Sequence, residues 1–519
     1  MNIFRTAIFA VLFQLSLAAI AVAQDVTLTS RDGSVKISGS LLGYDGDFYR
    51  IDSEFGILTV DGSGVLCSGP GCPDLVAFVA NISMSGAPVI ARDLMPGLIE
   101  AFALAQNYVV ERSAPGTGEI SYVLTEADSG RAAVRFVISS SSSDEGFADL
   151  LAEETDMALS LRAVSSDEIA RGLDAGLGRF SSPGQNRVIA LDALIPVVSP
   201  RNPVRSISPE QLAQVFAGQI DNWQQLGGLD APISLHLRQR GAGILQVFSD
   251  RIMSAAALEP VARVVRHDSN PALVDAVSKD PFAIGISTLS EPGNTRTLFL
   301  AGGCGFRSAA APDALKSDDY PLTAPMYLYL KGRRLPAVGR EFLRFVRSPE
   351  AQVAILRAGF VDQAISRTPL NRQGDRLANA IRAAGDEVPL TEIQRMVAVM
   401  DGARRLSVTF RFDGGSSALD AQSRSNILLL ARALETGTIG AHELIFVGFS
   451  DGQGAAEANR RLSETRAASV RAAVRREAAT ADPGRVKLSV DGFGEAMPLA
   501  CDDTQWGRQT NRRVEVWAR

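Results

Sequence analysis

Histidine is almost missing from this sequence. His236, His267 and His442 are the three in 519 residues, and none stands at a metal-ligand spacing from another. That excludes the histidine metal motifs and leaves a Ser–His or Cys–His nucleophile little to rest on, since neither His236 nor His267 has a nucleophile signature nearby. Cysteine is scarce too, with four residues, and two cysteines without a nearby histidine cannot complete a four-coordinate zinc site. No Gly-x-Ser-x-Gly elbow, phosphate loop or metal motif occurs, so the chain reads as a binding protein, not an enzyme, and calls for no cofactor. Positive charge is in deficit, 52 Lys and Arg against 58 Asp and Glu for a net charge of −6, which leaves no electrostatic footprint for nucleic acid. Past the N-terminus no apolar run is long enough to span a bilayer.

What is present begins with an export pattern. Arg5 supplies a positive n-region, Ala7 to Ile20 an apolar stretch, and Ala21-Val22-Ala23 a small-x-small cleavage site, so residues 1–23 read as a signal peptide. No cysteine at the cleavage point offers a lipid anchor. All four cysteines survive export into an oxidising compartment. Cys67 and Cys72 enclose the flexible Ser-Gly-Pro-Gly and are expected to pair. Cys304 and Cys501 either bridge two domains or stay free.

The chain length suits roughly three domains. Residues 24–75 alternate apolar and polar positions between Gly and Asp clusters, as in Val26-Thr27-Leu28-Thr29 and Val35-Lys36-Ile37-Ser38, which predicts a small β-rich module of hairpins. From 76 to 370 short apolar strands alternate with amphipathic helices, with strands expected at 75–80, 188–191, 194–198 and 282–286 and a helix at 94–104. Such a span suits two α/β lobes around a cleft. Residues 371–400, with Leu377, Ile381, Ile393 and Met396 at helical spacing, read as a helical connector. Residues 401–519 form a last α/β domain, with strands at 406–412, 443–449, 486–490 and 513–517 and helices at 420–435 and 455–479.

In this last domain Asp451 follows an apolar strand in a glycine-rich loop, which should present its carboxylate at a loop tip. Asn459, Leu462, Arg466 and Val470 share one helix face. A carboxylate and a guanidinium held together match a zwitterionic amino acid, Asp451 taking the ammonium and Arg466 the carboxylate in a bidentate pair. Arg512 and Arg513 alternate across a strand, so one faces the site and the other solvent or core. The alternative for Asp451 is a helix cap or an internal bridge to Arg466.

Three motifs, Gly448-Phe449-Ser450-Asp451-Gly452-Gln453-Gly454, Asn459-Arg460-Arg461-Leu462-Ser463-Glu464-Thr465-Arg466-Ala467 and Asn511-Arg512-Arg513-Val514-Glu515, resemble the OmpA-like peptidoglycan-binding family. The resemblance implies binding to the diaminopimelate stem of peptidoglycan by Asp451, Asn459, Arg466, Arg512 and Arg513, and an OmpA-like α/β sandwich. Phe449 departs from the family, which usually has histidine or tyrosine there, and Ser450 stands where threonine is frequent.

In the middle region, Val197-Val198-Ser199-Pro200-Arg201-Asn202-Pro203-Val204 and Val215-Phe216-Ala217-Gly218-Gln219-Ile220-Asp221-Asn222-Trp223 are similar to the phosphate-binding proteins of phosphate ABC transporters. The resemblance implies a type II periplasmic-binding-protein fold. The ligand turns differ. Where that family places hydroxyls, this chain has Gly86-Ala87-Pro88-Val89 and Gly241-Ala242-Gly243-Ile244, and Pro88 removes a backbone donor. Each lost charge-assisted hydrogen bond costs about 1.5–3 kcal/mol, so tight phosphate binding should be abolished. The candidate cleft residues are Ser85, Gly86, Ala87, Arg162, Arg238, Gly241, Ala242 and Gly243, with Arg162 and Arg238 either receiving another anion or serving as lobe bridges or solvent-facing charges.

The expected protein is thus an α/β and α+β multidomain chain of the Gram-negative periplasm, on the cell-wall or outer-membrane side. It is a peptidoglycan-tethered solute-binding or sensing protein whose partner is an unknown small molecule or envelope protein. The alternatives are a solute receptor, for phosphate or another anion, of an ABC importer, and a structural wall linker with an empty cleft.

Overall fold

The computed structural model describes residues 25–75, 77–182, 184–239, 243–302, 304–385, 387–412, 418–482 and 484–519. The expected signal peptide lies outside them, as do Gly241 and Ala242. No helix among the described residues is long and apolar enough to cross a membrane. They divide into two compact units. The smaller takes in the described chain up to Asn81 with Val123–Arg135 and Arg334–Phe342, and the larger comprises Ile82–Tyr122, Phe136–Arg333 and Leu343–Arg519.

The smaller unit holds the expected β module. Five antiparallel strands run in the order Gly56–Asp61, Phe48–Ser53, Lys36–Tyr44, Val26–Ser30, Val65–Ser68. Alternation places Val26, Leu28, Tyr49 and Ile51 in one apolar core, since side chains two apart share a face. The Cys67–Cys72 disulfide closes the last strand.

In the larger unit the strands alternate with helices as expected. Ala80–Gly86, Met157–Ser160, Thr323–Leu330, Asn186–Val198, Ala283–Thr288, Ser234–Arg238 and Val265–His267 lie side by side in one mixed sheet. Two differences from the sequence reading have physical causes. The first strand begins at Ala80 rather than Leu75, and Leu75 itself is exposed. The two strands expected at 188–191 and 194–198 are one strand of thirteen residues. Its first half pairs with Thr323–Leu330 and its second with Ala283–Thr288, so it runs through both parts of the sheet. Twelve of its thirteen residues are buried, on both faces, which erases the alternation that would have shown its continuity.

Toward the C-terminus a second sheet has the order Arg367–Pro369, Arg404–Arg411, Arg513–Ala518, Glu443–Phe449, Lys487–Gly492. One face packs on helices Ala421–Glu435 and Ala456–Glu477 through Leu430, Leu434, Ala467, Val470 and Val474. The other face carries Ile445, Val447 and Trp517. Against it lie Ala380, Ile393, Met396 and Met400 of helices Gly374–Ala383 and Leu390–Met400. The segment that reads as a polar-faced connector therefore supplies a helical layer of this sheet.

Candidate functional site

Asp451 sits two residues past the strand Glu443–Phe449 and is 7% exposed. It is buried rather than presented at an open tip. What brings a cation to it is close helix packing. A Cβ at Gly448 would lie 1.9 Å from the Ser463 carbonyl oxygen, and one at Gly492 would lie 2.5 Å from the Glu464 nitrogen. Only glycines let helix Ala456–Glu477 settle this deeply, and Arg466, one turn beyond Ser463, is thereby set beside the loop.

Arg512 donates from Nη1 to Asp451 Oδ2. Among the described residues Arg466 makes no such pair. Its guanidinium lies 5.3 Å from the Phe412 ring centre, and its Nη1 is buried without a hydrogen-bond partner. Burial and the Arg512 charge lower its pKa, while the Asp451 carboxylate pulls it back up, which places all three charges within one electrostatic neighbourhood. Ser450 donates its N–H to the Gly494 carbonyl, but its buried Oγ also has no partner. Unpaired buried polar atoms are uncommon in folded proteins and call for an explanation. Here two of them flank one carboxylate.

The two adjacent arginines separate. Arg512 faces the site. Arg513 is fully buried, with Nε 2.7 Å from Glu515 Oε1, Nη2 2.9 Å from the Met497 carbonyl and its plane over the Phe449 ring at 4.2 Å. It belongs to the core, not to the site. Asn459 is on the expected helix face, but its Nδ2 donates to Glu495 at 3.3 Å.

Three positioning residues have no counterpart in the sequence reading. Asn511 Oδ1 accepts from the N–H groups of Leu499 and Ala500, and its Nδ2 donates to Asp502 Oδ1 at 2.7 Å. Asp502 Oδ2 in turn accepts from the Gly452 N–H at 2.7 Å, directly after Asp451. Glu495, beside Gly452, has its pKa raised to about 7, first by burial and then by the Glu387 carboxyl. The Asn511-Arg512-Arg513 motif contained the first of these, but only the fold shows what its amide holds. Next to Asp502, Cys501 is bonded to Cys304 across a sequence separation of 197.

The middle region tells a different story. A cavity of about 440 Å3 is lined by Ser142, Asp144, Arg162, Phe248, Glu259 and Arg266 among others. Arg162 lines it, yet it is not available to an anion. Its Nε and Nη2 donate to Asp144, its Nη1 and Nη2 to Glu168, and Nη1 also to the Ala163 carbonyl. All five N–H donors are consumed. Of the two readings open for Arg162, ligand contact is corrected and the structural bridge is what the fold has, to Asp144 and Glu168. The first turn is closed as well. Ala87 N–H donates to the Leu159 carbonyl at 2.9 Å, and Ser85 Oγ to Asp149 at 2.5 Å. A Cβ at Gly86, with φ +144, would sit 2.0 Å from the Leu159 oxygen, so only glycine lets the strand end pack this closely on its neighbour. Gly243 opens the helix Gly243–Phe248. Arg238 retains a buried Nε without a partner and has its pKa lowered by burial. Near it, His236 Nδ1 and His267 Nε2 meet at 2.9 Å, a pairing made by adjacent parallel strands and invisible in a 31-residue spacing. Among the described residues no group of three or more His, Cys, Asp and Glu is arranged to hold a metal ion.

Comparison with known proteins separates the same two parts. A model described as PBP superfamily domain matches residues 114–350, and one described as OmpA family matches residues 411–512. The chain joins a PBP-superfamily domain to an OmpA-family domain. Over 170 residues it is 28% identical to Phosphate-binding protein PstS of Bacillus subtilis, covering 32% of this chain and 54% of that protein. Over 108 residues the C-terminal domain is 37% identical to Outer membrane protein A of Bordetella avium, covering 20% of this chain and 51% of the relative. The chain thus spans about half the length of each of these two relatives. An ABC-type phosphate transport receptor from Vibrio cholerae aligns at 19% identity and a TM-score of 0.42, covering 54% of this chain and 99% of the receptor.

Proposed function

We propose that this chain is a periplasmic protein held to diaminopimelate-type peptidoglycan by its OmpA-family domain, with a PBP-like domain that binds or senses a ligand other than phosphate. The observation that carries the first half is the Asp451–Arg512 pair with the unpartnered Arg466 Nη1 and Ser450 Oγ beside it. The side chain of diaminopimelate ends in an ammonium and a carboxylate on one carbon. The ammonium takes Asp451, and the carboxylate takes Arg466 and the Arg512 donors released by that exchange. Asn511, Asp502 and Glu495 hold the loop in place, and Arg513 acts in the core.

Titration with stem peptides checks this reading. A lysine-type stem has the ammonium but lacks the carboxylate, so it loses the arginine contacts and should bind at least about tenfold more weakly than a diaminopimelate stem. Equal affinity for the two stems would sink the assignment.

The second half rests on the PBP-like domain. Arg162 has no donor left, and the 85–88 turn spends its Ala87 N–H and Ser85 hydroxyl on protein groups. Calorimetric titration with inorganic phosphate should show no micromolar binding. Tight binding would instead favour a phosphate receptor for an importer.

A further inference from the structure

A cavity of about 670 Å3 lies between the strand Asn186–Val198 with helix Pro349–Arg357 on one side and helix Ala421–Glu435 on the other. It lies apart from the Asp451 loop and from the cleft described above. Its walls are largely apolar, with Val188, Val353, Leu356 and Leu429 among the lining side chains. Val353 and Leu356 are 46% and 54% exposed, an uncommon degree for branched aliphatics that flank each other on one helix face.

Arginines share this apolar wall. Arg187, Arg347 and Arg432 all line it. Arg187 spends Nη1 on the Leu343 carbonyl at 3.1 Å, and its Nε is buried without a partner. Among the described residues none of the three is in ion-pair contact with a carboxylate, and the carboxylate on the wall, Asp362, is already bound by Lys316 at 2.8 Å. Burial lowers the pKa of Arg187 to about 10 and that of Arg347 as well, and the nearby arginine charges add to both shifts. Like charges gathered on an apolar surface without a counter-ion destabilise the fold, and an anion between them removes that cost.

We infer that this cavity binds a single-chain anionic amphiphile, its hydrocarbon chain against Val188, Val353, Leu356 and Leu429 and its carboxylate or phosphate head between Arg187, Arg347 and Arg432. The volume is within the range of small-molecule sites, and few, convergent polar groups in an apolar pocket are their usual make-up. Guanidinium groups suit either head, because both offer oxygens in a geometry that accepts paired N–H donors.

Calorimetry on the mature, disulfide-bonded protein tests this with laurate, dodecyl phosphate and the neutral dodecyl maltoside, each below its micelle concentration. One anion should bind one-to-one, and the neutral amphiphile at least about tenfold more weakly. Whichever of laurate and dodecyl phosphate binds more tightly identifies the head as fatty-acid-like or phospholipid-like. The double variant R187Q/R347Q should lose at least about tenfold in anion affinity, and V353W should block both anions by filling the cavity. Each variant must keep a cooperative thermal unfolding transition, which shows that it folds and keeps this inference separate from the wall-binding reading. R187Q alone should raise the melting temperature of the ligand-free protein, since it removes repulsion, whereas loss of a merely structural arginine would lower it. Equal binding of neutral and anionic amphiphiles, no one-to-one binding of either anion, or unchanged affinity in both variants would overturn the inference.

Discussion

Arg512 reaches Asp451 across 61 residues of sequence and forms an ion pair with it, while Arg466, on the helix between them, leaves a buried nitrogen unpaired. One cation near the carboxylate is therefore paired with it, and Arg466 keeps a nitrogen without a partner. On the proposed reading Arg512, with a side chain 24% exposed, turns away when a ligand ammonium neutralises the carboxylate. The loop that carries Asp451 is fixed from the other side, through Asp502 and Asn511.

That fixation predicts an effect of the Cys304–Cys501 bridge on wall binding. Cys501 adjoins Asp502, and the bridge ties this loop to the PBP-like domain within the same compact unit. Replacing both cysteines by serine should cost about 2–4 kcal/mol of stability, because the cross-link closes a long loop of the unfolded chain. It should also weaken sacculus binding, by loosening the acceptor of the Gly452 N–H. Chemical denaturation and sedimentation check the two effects. Unchanged stability in the double variant would contradict the first.

Glu515 should be the most costly single charge to remove. It is fully buried, with Arg513 Nε at 2.7 Å, Arg405 Nε at 3.1 Å, Arg376 in contact and Trp517 Nε1 at 3.2 Å. Those cations hold its pKa well below the carboxylate range against a large burial penalty. Arg405 also binds Asp319 of the PBP-like domain, Nη2 to Oδ1 at 3.0 Å. Glu515→Gln leaves three buried arginines short of a counter-charge and should lower stability by about 3–5 kcal/mol. A loss under about 1 kcal/mol in urea unfolding would show that the arginines find other partners.

Glu495 predicts a pH dependence. Its folded pKa, about 7, lies above the ordinary 4.5 because of burial and the Glu387 carboxyl. The folded state therefore binds the proton more tightly than the unfolded one. The stabilisation is complete below the unfolded pKa and is lost as pH rises through about 7. In Glu495→Gln the melting temperature should change less between about pH 5 and about pH 8 than in the parent. Identical slopes in thermal melts would contradict the shift.

How much of this was legible in the sequence depends on the range of the interactions. Strand and helix positions of the C-terminal domain followed from periodicity, because Leu444, Phe446 and the Ala467–Val470–Val474 face pack locally and regularly. That Asp451, Arg466 and Arg512 belong together was suggested by their motifs, but the pairing of Asp451 with Arg512 rather than Arg466 appears only in the fold. Arg162 was not: its partners Asp144 and Glu168 meet it only through the fold. The helices 374–383 and 390–400 read as polar because just one narrow face, Ala380, Ile393, Met396 and Met400, is buried. The long strand through Pro196 read as two, since burial on both sides gives no period.

The most direct test of the account is sedimentation of the mature protein with purified diaminopimelate-type sacculi, beside Asp451→Ala and Arg466→Ala. The account predicts that the parent pellets with the wall and that each variant remains in the supernatant while keeping its thermal unfolding transition. Variants that pellet as the parent does would contradict it.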